Sequence, residues 1–139
     1  MPRTPTPPEN AVTLSFHVRY AETDAMRVAH HANYFVWFEM GRAAYCRERG
    51  IDYAAMETER GLFLPIVEAH CRYVSPARYD DLLTLAVWCK EATRRTLRFG
   101  YLLKREETLL AEGETYQILV DNAGRPCTLP PDLAEKMGG

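Results

Sequence analysis

HANYFVWFEMGRAAYCRERG, residues 31–50, sets apolar side chains at helical spacing through Tyr34, Trp37, Phe38, Gly41 and Tyr45. Phe35, Val36, Met40, Ala43, Ala44 and Cys46 make much of the remaining circumference apolar as well. A helix apolar nearly all round is a buried helix. Arg47, Glu48 and Arg49 bring the chain back to the surface, and Gly50 stands where a left-handed residue ends a helix.

Working outward, the segments on either side of this helix read as strands. Leu14, Phe16, Val18 and Tyr20 alternate with Thr13, Ser15, His17 and Arg19, the pattern of a half-buried strand. After a shorter helical stretch over residues 52–60, strands are predicted over 63–74, 82–90, 96–104 and 109–120. Val67, Ala69, Cys71 and Tyr73 share one face of the first of these. Gly113 predicts a bulge or bend. Residues 75–80, Glu106-Glu107 and residues 121–124 read as turns, and Asp132 as the cap of a last short helix. The order is strand, buried helix, run of strands: an α+β domain with one antiparallel sheet curled around one long helix. Residues 82–90 are apolar on both faces, which predicts a second chain over the outer sheet face, hence a homo-oligomer.

The 139 residues suit one domain, expected over residues 12–139, behind a proline-rich lead-in over residues 1–11 expected to be disordered. The lead-in lacks the apolar core of a signal peptide. No apolar run approaches the roughly 20 residues that span a bilayer. A net charge of -2 argues against a nucleic-acid or anionic-membrane partner. Cys46, Cys71, Cys89 and Cys127 form no Cys-x-x-Cys pair and fit a reducing, cytoplasmic compartment.

The chemistry is expected in residues 20–34, where a strand ends, a loop carries Glu22 and Asp24, and the helix begins at His30 and His31. The first N–H groups of a helix lack internal partners and suit an anion or an oxygen becoming one. Asp24 is placed to attack a thioester carbonyl or to activate the water that does. Spacing alone leaves the alternative that Asp24 only pins the loop, as loop aspartates usually do.

The run Thr23-Asp24-Ala25-Met26-Arg27-Val28-Ala29-His30-His31-Ala32-Asn33-Tyr34 resembles the signature of the 4-hydroxybenzoyl-CoA thioesterase family of hotdog proteins. Trp37-Phe38-Glu39-Met40-Gly41-Arg42, Pro65-Ile66-Val67-Glu68 and residues 73–81 resemble further blocks of that family in the same order. The resemblance implies a hotdog fold, dimers or tetramers with active sites between protomers, and hydrolysis of a small or medium acyl-CoA thioester to acid and CoA. An acyl carrier protein is the alternative carrier. It implies Asp24 as the catalytic carboxylate and the backbone N–H of His31 as oxyanion donor, with the His31 side chain positioning substrate or water. It also implies that Arg94-Arg95 contact CoA phosphates, a role guanidinium geometry suits. From the residues themselves, Tyr34, Trp37, Phe38, Phe63 and Leu64 are candidates to line the acyl pocket. No metal or redox cofactor is implied, CoA being part of the substrate. One departure is Arg27, where the family has Gly: a different loop shape, or a guanidinium at the pocket mouth, is expected.

The rival features weigh less. A helical Glu serves a different hotdog subclass, yet Glu39 lies three residues before Arg42, a spacing that predicts a structural ion pair. His30 and His31 as neighbours do not share a helix face, which argues against a metal pair. Cys46 reads as packing rather than as a thiol nucleophile. The alternative functions are a hotdog hydratase or dehydratase, against which stands the absence of Pro between Asp24 and His31, and a non-catalytic thioester-binding module.

Overall fold

The computed structural model describes residues 5–138. The chain runs β1 (Val12–His17), a 3-10 turn (Tyr20–Glu22), α1 (Asn33–Glu48), α2 (Tyr53–Thr58), β2 (Ile66–Tyr73), β3 (Leu82–Ala92), β4 (Thr96–Arg105), β5 (Thr108–Ile118) and α3 (Pro131–Gly138). The five strands form one antiparallel sheet in the order β1-β3-β4-β5-β2. The α+β architecture is the expected one: a long helix laid on one face of a curled sheet.

Alternation in the central strands explains where the core sits. Leu83, Leu85 and Val87 of β3 and Leu97, Phe99, Tyr101 and Leu103 of β4 point at α1 and are buried. They meet Tyr34, Trp37, Phe38, Gly41 and Tyr45, the buried face of α1. The Phe38 ring stacks on Tyr101 with centroids 4.2 Å apart, and Tyr45 meets Phe99 edge-on at 5.5 Å. Gly41 lets the helix approach: a Cβ there would lie 2.8 Å from Leu85 Cδ2. The helix ends as read. Gly50 has φ 73°, its N–H donates to the Arg47 carbonyl and that of Ile51 to the Cys46 carbonyl, the paired bonds of a Schellman closure.

Several expectations need correction. The first strand, read as far as Tyr20, stops at His17, and Tyr20 opens the 3-10 turn; Asp132 lies inside the first turn of α3, which begins at Pro131, rather than capping it. The helix begins at Asn33 rather than near His31, because residues 30–32 form a separate hydrogen-bonded turn. The strand expected over residues 63–74 is ordered as sheet only over Ile66–Tyr73, with Phe63 making an isolated bridge to Val120. Gly113 is not a bulge: it pairs in register with Cys71 and Tyr101, and the sheet needs Gly there because a Cβ would overlap the Phe38 ring. The irregularities fall instead between Ile66 and Glu68, Cys89 and Glu91, and Leu103 and Lys104. The helix is also not enclosed on all sides within one chain, since Val36 is 48% exposed.

On the outer sheet face Ala86 and Leu102 are already covered within the chain, whereas Leu82 is exposed. Pro5 and Thr6 border a groove over Trp88, Gly100 and Leu102. The first four residues of the lead-in lie outside the described residues. From Pro5 onward it is described: Ala11 N–H donates to the Pro8 carbonyl, and the Arg49 guanidinium to that of Asn10 at 3.2 Å. Among the described residues no helix is long and apolar enough to cross a membrane.

Candidate active site

The segment between β1 and α1 folds back on itself as a small antiparallel loop. Thr23 bridges Ala29, Asp24 N–H donates to the Val28 carbonyl at 3.0 Å, and Arg27 N–H returns to the Asp24 carbonyl at 2.9 Å. One oxygen of the Asp24 carboxylate accepts from Met26 N–H at 2.8 Å, an Asx turn that fixes the side chain. Ala29 N–H, donating to the Ala77 carbonyl at 2.7 Å, ties the loop to the segment before β3. Arg27 has φ 67°, so the turn retains the left-handed conformation that Gly favours, and the different loop shape expected from Arg is not found. Its side chain is exposed and is not among the residues lining the cavity described below.

The entry to α1 is an unusual piece of hydrogen-bond accounting. Ala29 N–H goes to Ala77 O, His30 N–H to Glu22 O, Asn33 N–H to His30 O, Tyr34 N–H to His31 O and Phe35 N–H to Ala32 O. Ala32 N–H donates to His30 Nδ1 at 3.2 Å. From Ala29 to Phe35, only His31 N–H finds no acceptor among the described residues. Ala32, at the N-cap, offers no side-chain acceptor. On the other side of the turn, the Tyr73 hydroxyl donates to the His31 carbonyl at 2.9 Å.

Asp24, Val28, Ala29, His31, Tyr34, Tyr73, Val74, Ser75 and Pro76 line one cavity of about 350 Å³. The structure thus brings Asp24, His31 and Tyr34 together. The second Asp24 carboxylate oxygen has no partner among the described residues. Tyr34 and Tyr73 meet edge-on at 4.8 Å and give the cavity an aromatic wall. Burial, then the neighbouring Cys71, pushes the Tyr73 phenol up to about 12, so it stays a hydrogen-bond donor across the neutral range. Sequence reasoning missed Tyr73 as a site residue, although its alternation already set it on the same face as Cys71 at the end of its strand. Glu22 was also missed. It is 4% exposed, and its carboxylate accepts from Trp37 Nε1 at 2.8 Å and from Arg19 N–H at 2.7 Å.

Arg94 and Arg95 are not brought to this cavity. They lie exposed in the β3–β4 turn, and β3 spans 11 residues from its start beside the Asp24 loop. At about 3.3 Å per residue the turn is roughly 30 Å away along the sheet. The other candidates also separate. The expected Glu39–Arg42 ion pair is absent among the described residues; Arg42 reaches inward and donates to the Tyr101 hydroxyl at 3.1 Å, while Glu39 stays exposed. Burial pushes the Cys46 thiol up to about 11, which removes it as a nucleophile at neutral pH. His30 and His31 stack at 4.3 Å, and no third His, Cys, Asp or Glu gathers with them among the described residues. The groove on the outer sheet face, about 400 Å³, contains Glu112 and Glu114, but both carboxylates are tied up in ion pairs with Arg72, Lys90 and Arg98.

Residues 18–137 match the description of the thioesterase-like superfamily. The chain belongs to that superfamily. The acyl-CoA thioester hydrolase YbgC of Escherichia coli O157:H7 is 30% identical over 84% of this chain and 87% of its own length. The crystal structure of a DHNA-CoA thioesterase from Staphylococcus aureus superposes with a TM-score of 0.87 at 28% identity, covering 91% of this chain and 87% of that one. A hypothetical protein from Thermus thermophilus gives 0.86 at 34% identity, over 90% and 95% of the two chains. The hotdog fold and the thioester hydrolase class expected from the sequence stand with these members of the superfamily.

Proposed function

We propose that the chain hydrolyses a small or medium acyl-CoA thioester to the free acid and CoA in the Asp24 cavity. One observation carries this reading: Asp24, with a carboxylate oxygen lacking a partner among the described residues, and His31, whose N–H is the one left without an acceptor among them at the helix entry, line the same cavity. The His31 N–H polarises the thioester carbonyl and stabilises the oxyanion that forms as the carbon becomes tetrahedral. Asp24 supplies the attack, either directly or by taking a proton from water. The C–S bond then breaks, and CoA leaves as a thiolate that takes up a proton; after direct attack the acyl group stays on Asp24 as an anhydride, which water hydrolyses to release the acid and restore the carboxylate. Tyr34 bounds the acyl group, and a cavity of about 350 Å³ is at the small end for an organic ligand. No metal or redox cofactor enters this chemistry.

A second copy of the chain completes the proposal. β2 is an edge strand whose Ile66, Val67 and Tyr73 are exposed, an unpaired template for another strand. Antiparallel pairing of two β2 strands sets the Ile66 end of one copy beside the Tyr73 end of the other. The Ile66 end borders Gln117, which pairs with Leu97 next to the Arg94-Arg95 turn. The arginines of one protomer thereby come to the cavity end of its partner, where they meet the phosphates of a long CoA tail. A homodimer or a homotetramer built from it satisfies this geometry; Arg27, exposed and outside the cavity lining, is a candidate contact for the CoA tail rather than for the acyl group. The four free cysteines support a reducing, cytoplasmic setting.

The test is thiol release from a panel of aliphatic and aromatic acyl-CoAs, wild type beside Asp24→Asn. Turnover by wild type is expected to fall at least about a hundredfold in the variant, in line with the loss of a group acting in the transition state. A folded wild type that hydrolyses no member of the panel, or an Asp24→Asn enzyme of undiminished kcat, would overturn the proposal.

A further inference from the structure

Glu22 is a buried carboxylate that the proposed chemistry does not use. Fully buried carboxylates are rare unless paired, and an apolar residue would fill the same space at less cost. Its carboxylate oxygens divide between two elements. One accepts from the backbone N–H of Arg19, the other from Trp37 Nε1 in the second turn of α1 and, at 3.4 Å, from the exposed Arg19 guanidinium. Its backbone carbonyl accepts twice more, from His30 N–H at 2.8 Å and from Asn33 Nδ2 at 2.8 Å. One residue thus ties the Asp24 loop to the body of α1, and the same residue consumes the N–H immediately before the one left free.

We infer that Glu22 is a positioning residue for the oxyanion donor: its anchored backbone carbonyl captures His30 and Asn33 and so fixes the turn that leaves His31 N–H open to the cavity. This rests on the reading of Asp24 and His31 given above. The carboxylate sets where residue 22 sits relative to Trp37. The carbonyl of residue 22 transmits that placement to the His30 peptide. A donor aimed at a developing oxyanion tolerates little displacement, since a misplacement of about 1 Å costs on the order of a hundredfold in rate.

The test compares Glu22→Gln, Trp37→Phe and the double variant by steady-state thiol release, with Asp24→Asn alongside and every assay well below each variant's melting temperature. The two donors sit on different carboxylate oxygens, so in Glu22→Gln, with the amide oxygen kept on Arg19 N–H, the NH2 faces Trp37 Nε1. The expected result is a kcat lowered by roughly 10- to 100-fold with KM within about twofold, because the donor is needed more in the transition state than in the ground state. Adding Trp37→Phe removes the opposing donor and is expected to recover part of the lost kcat. A Glu22→Gln enzyme with a lowered melting temperature but wild-type kcat would make Glu22 merely structural and overturn the inference. A double variant no faster than Glu22→Gln would do the same. If Glu22→Gln does not fold, Trp37→Phe alone decides: it must lower kcat without a matching change in KM. Wild-type turnover unaffected by Asp24→Asn would bring down the parent reading, a result distinct from the two above.

Discussion

Arg27 has φ 67° in a turn closed by Arg27 N–H on the Asp24 carbonyl. For a residue with a Cβ this conformation costs about 1–2 kcal/mol. Glycine removes that strain but brings back roughly 0.5–1 kcal/mol through its freedom in the unfolded chain. Arg27→Gly is therefore expected to stabilise the protein by about 0.5–1 kcal/mol. Arg27→Ala keeps the strain and removes only the guanidinium, which makes no hydrogen bond or ion pair among the described residues. It should lie within about 0.5 kcal/mol of wild type. At this chain length the difference between the two variants corresponds to a melting-temperature gap of about 2–4 °C. Thermal and urea unfolding of the three proteins, free of ligand, measure it. Kinetics separate the side chain from the backbone: if the guanidinium greets the CoA tail, both variants raise KM alike while only Arg27→Gly gains stability. An Arg27→Gly protein no more stable than Arg27→Ala would refute the strain argument.

Two further outcomes follow from the same geometry. Gly113→Ala should destabilise by about 2–3 kcal/mol, since its Cβ meets the Phe38 ring and lies 2.8 Å from the backbone His70 carbonyl, whereas the nearest atoms to a Cβ at Gly100 all belong to the Trp88 side chain, which lines the outer groove, and Gly100→Ala should cost about 1 kcal/mol or less; urea midpoints in the reverse order would contradict the packing described. Neutralising Arg94 and Arg95 to Ala should raise KM for an acyl-CoA roughly tenfold, yet leave KM unchanged for the same acyl group on a short thiol without the nucleotide; an equal effect on both substrates would remove the phosphate role.

The parts of this fold legible in the sequence are those governed by period. Alternation in β1, β3 and β4 and the helical spacing of Tyr34, Trp37, Phe38, Gly41 and Tyr45 are properties of neighbours, and each element was found near its place. What was misread depends on residues far away in the chain. Glu39 and Arg42 have the spacing of an ion pair, but Arg42 is claimed by Tyr101, 59 residues on. Gly113 looks the same in sequence whether it makes a bulge or yields to an aromatic ring, and only Phe38 decides between them. Glu22 passed for one more polar loop residue because its partner, Trp37, lies 15 positions away in a helix that reads as plain core. Asp24 was a candidate from its place in the loop, but only resemblance to a family chose it over a loop-pinning role, and the same resemblance supplied His31 and the phosphate role of Arg94 and Arg95. A linear motif carries no distance, which is why it could not show that the arginines stand at the opposite end of the sheet.

His31 shows why the rest of the site needed a structure. Its candidate role belongs to a backbone N–H, which every residue but proline has, so side-chain identity at that position says little about it. What distinguishes this N–H is that its neighbours have been given acceptors: Ala77 from the loop before β3, Glu22 from the 3-10 turn, His30 from its own ring and carbonyl. A donor left without a partner in a dry place costs about 1–3 kcal/mol, but His31 is exposed and water meets it until a ligand arrives. On the proposed reading, an entering acyl group displaces solvent there and the thioester carbonyl becomes the acceptor the turn withholds. The Asp24 carboxylate is held in the same way, one oxygen spent on Met26 N–H and the other left over. On that reading, a donor at the helix entry and a carboxylate oxygen in the loop before it, each left one bond short, need no rearrangement at the moment of reaction, and such pre-set geometry is where electrostatic catalysis gains most.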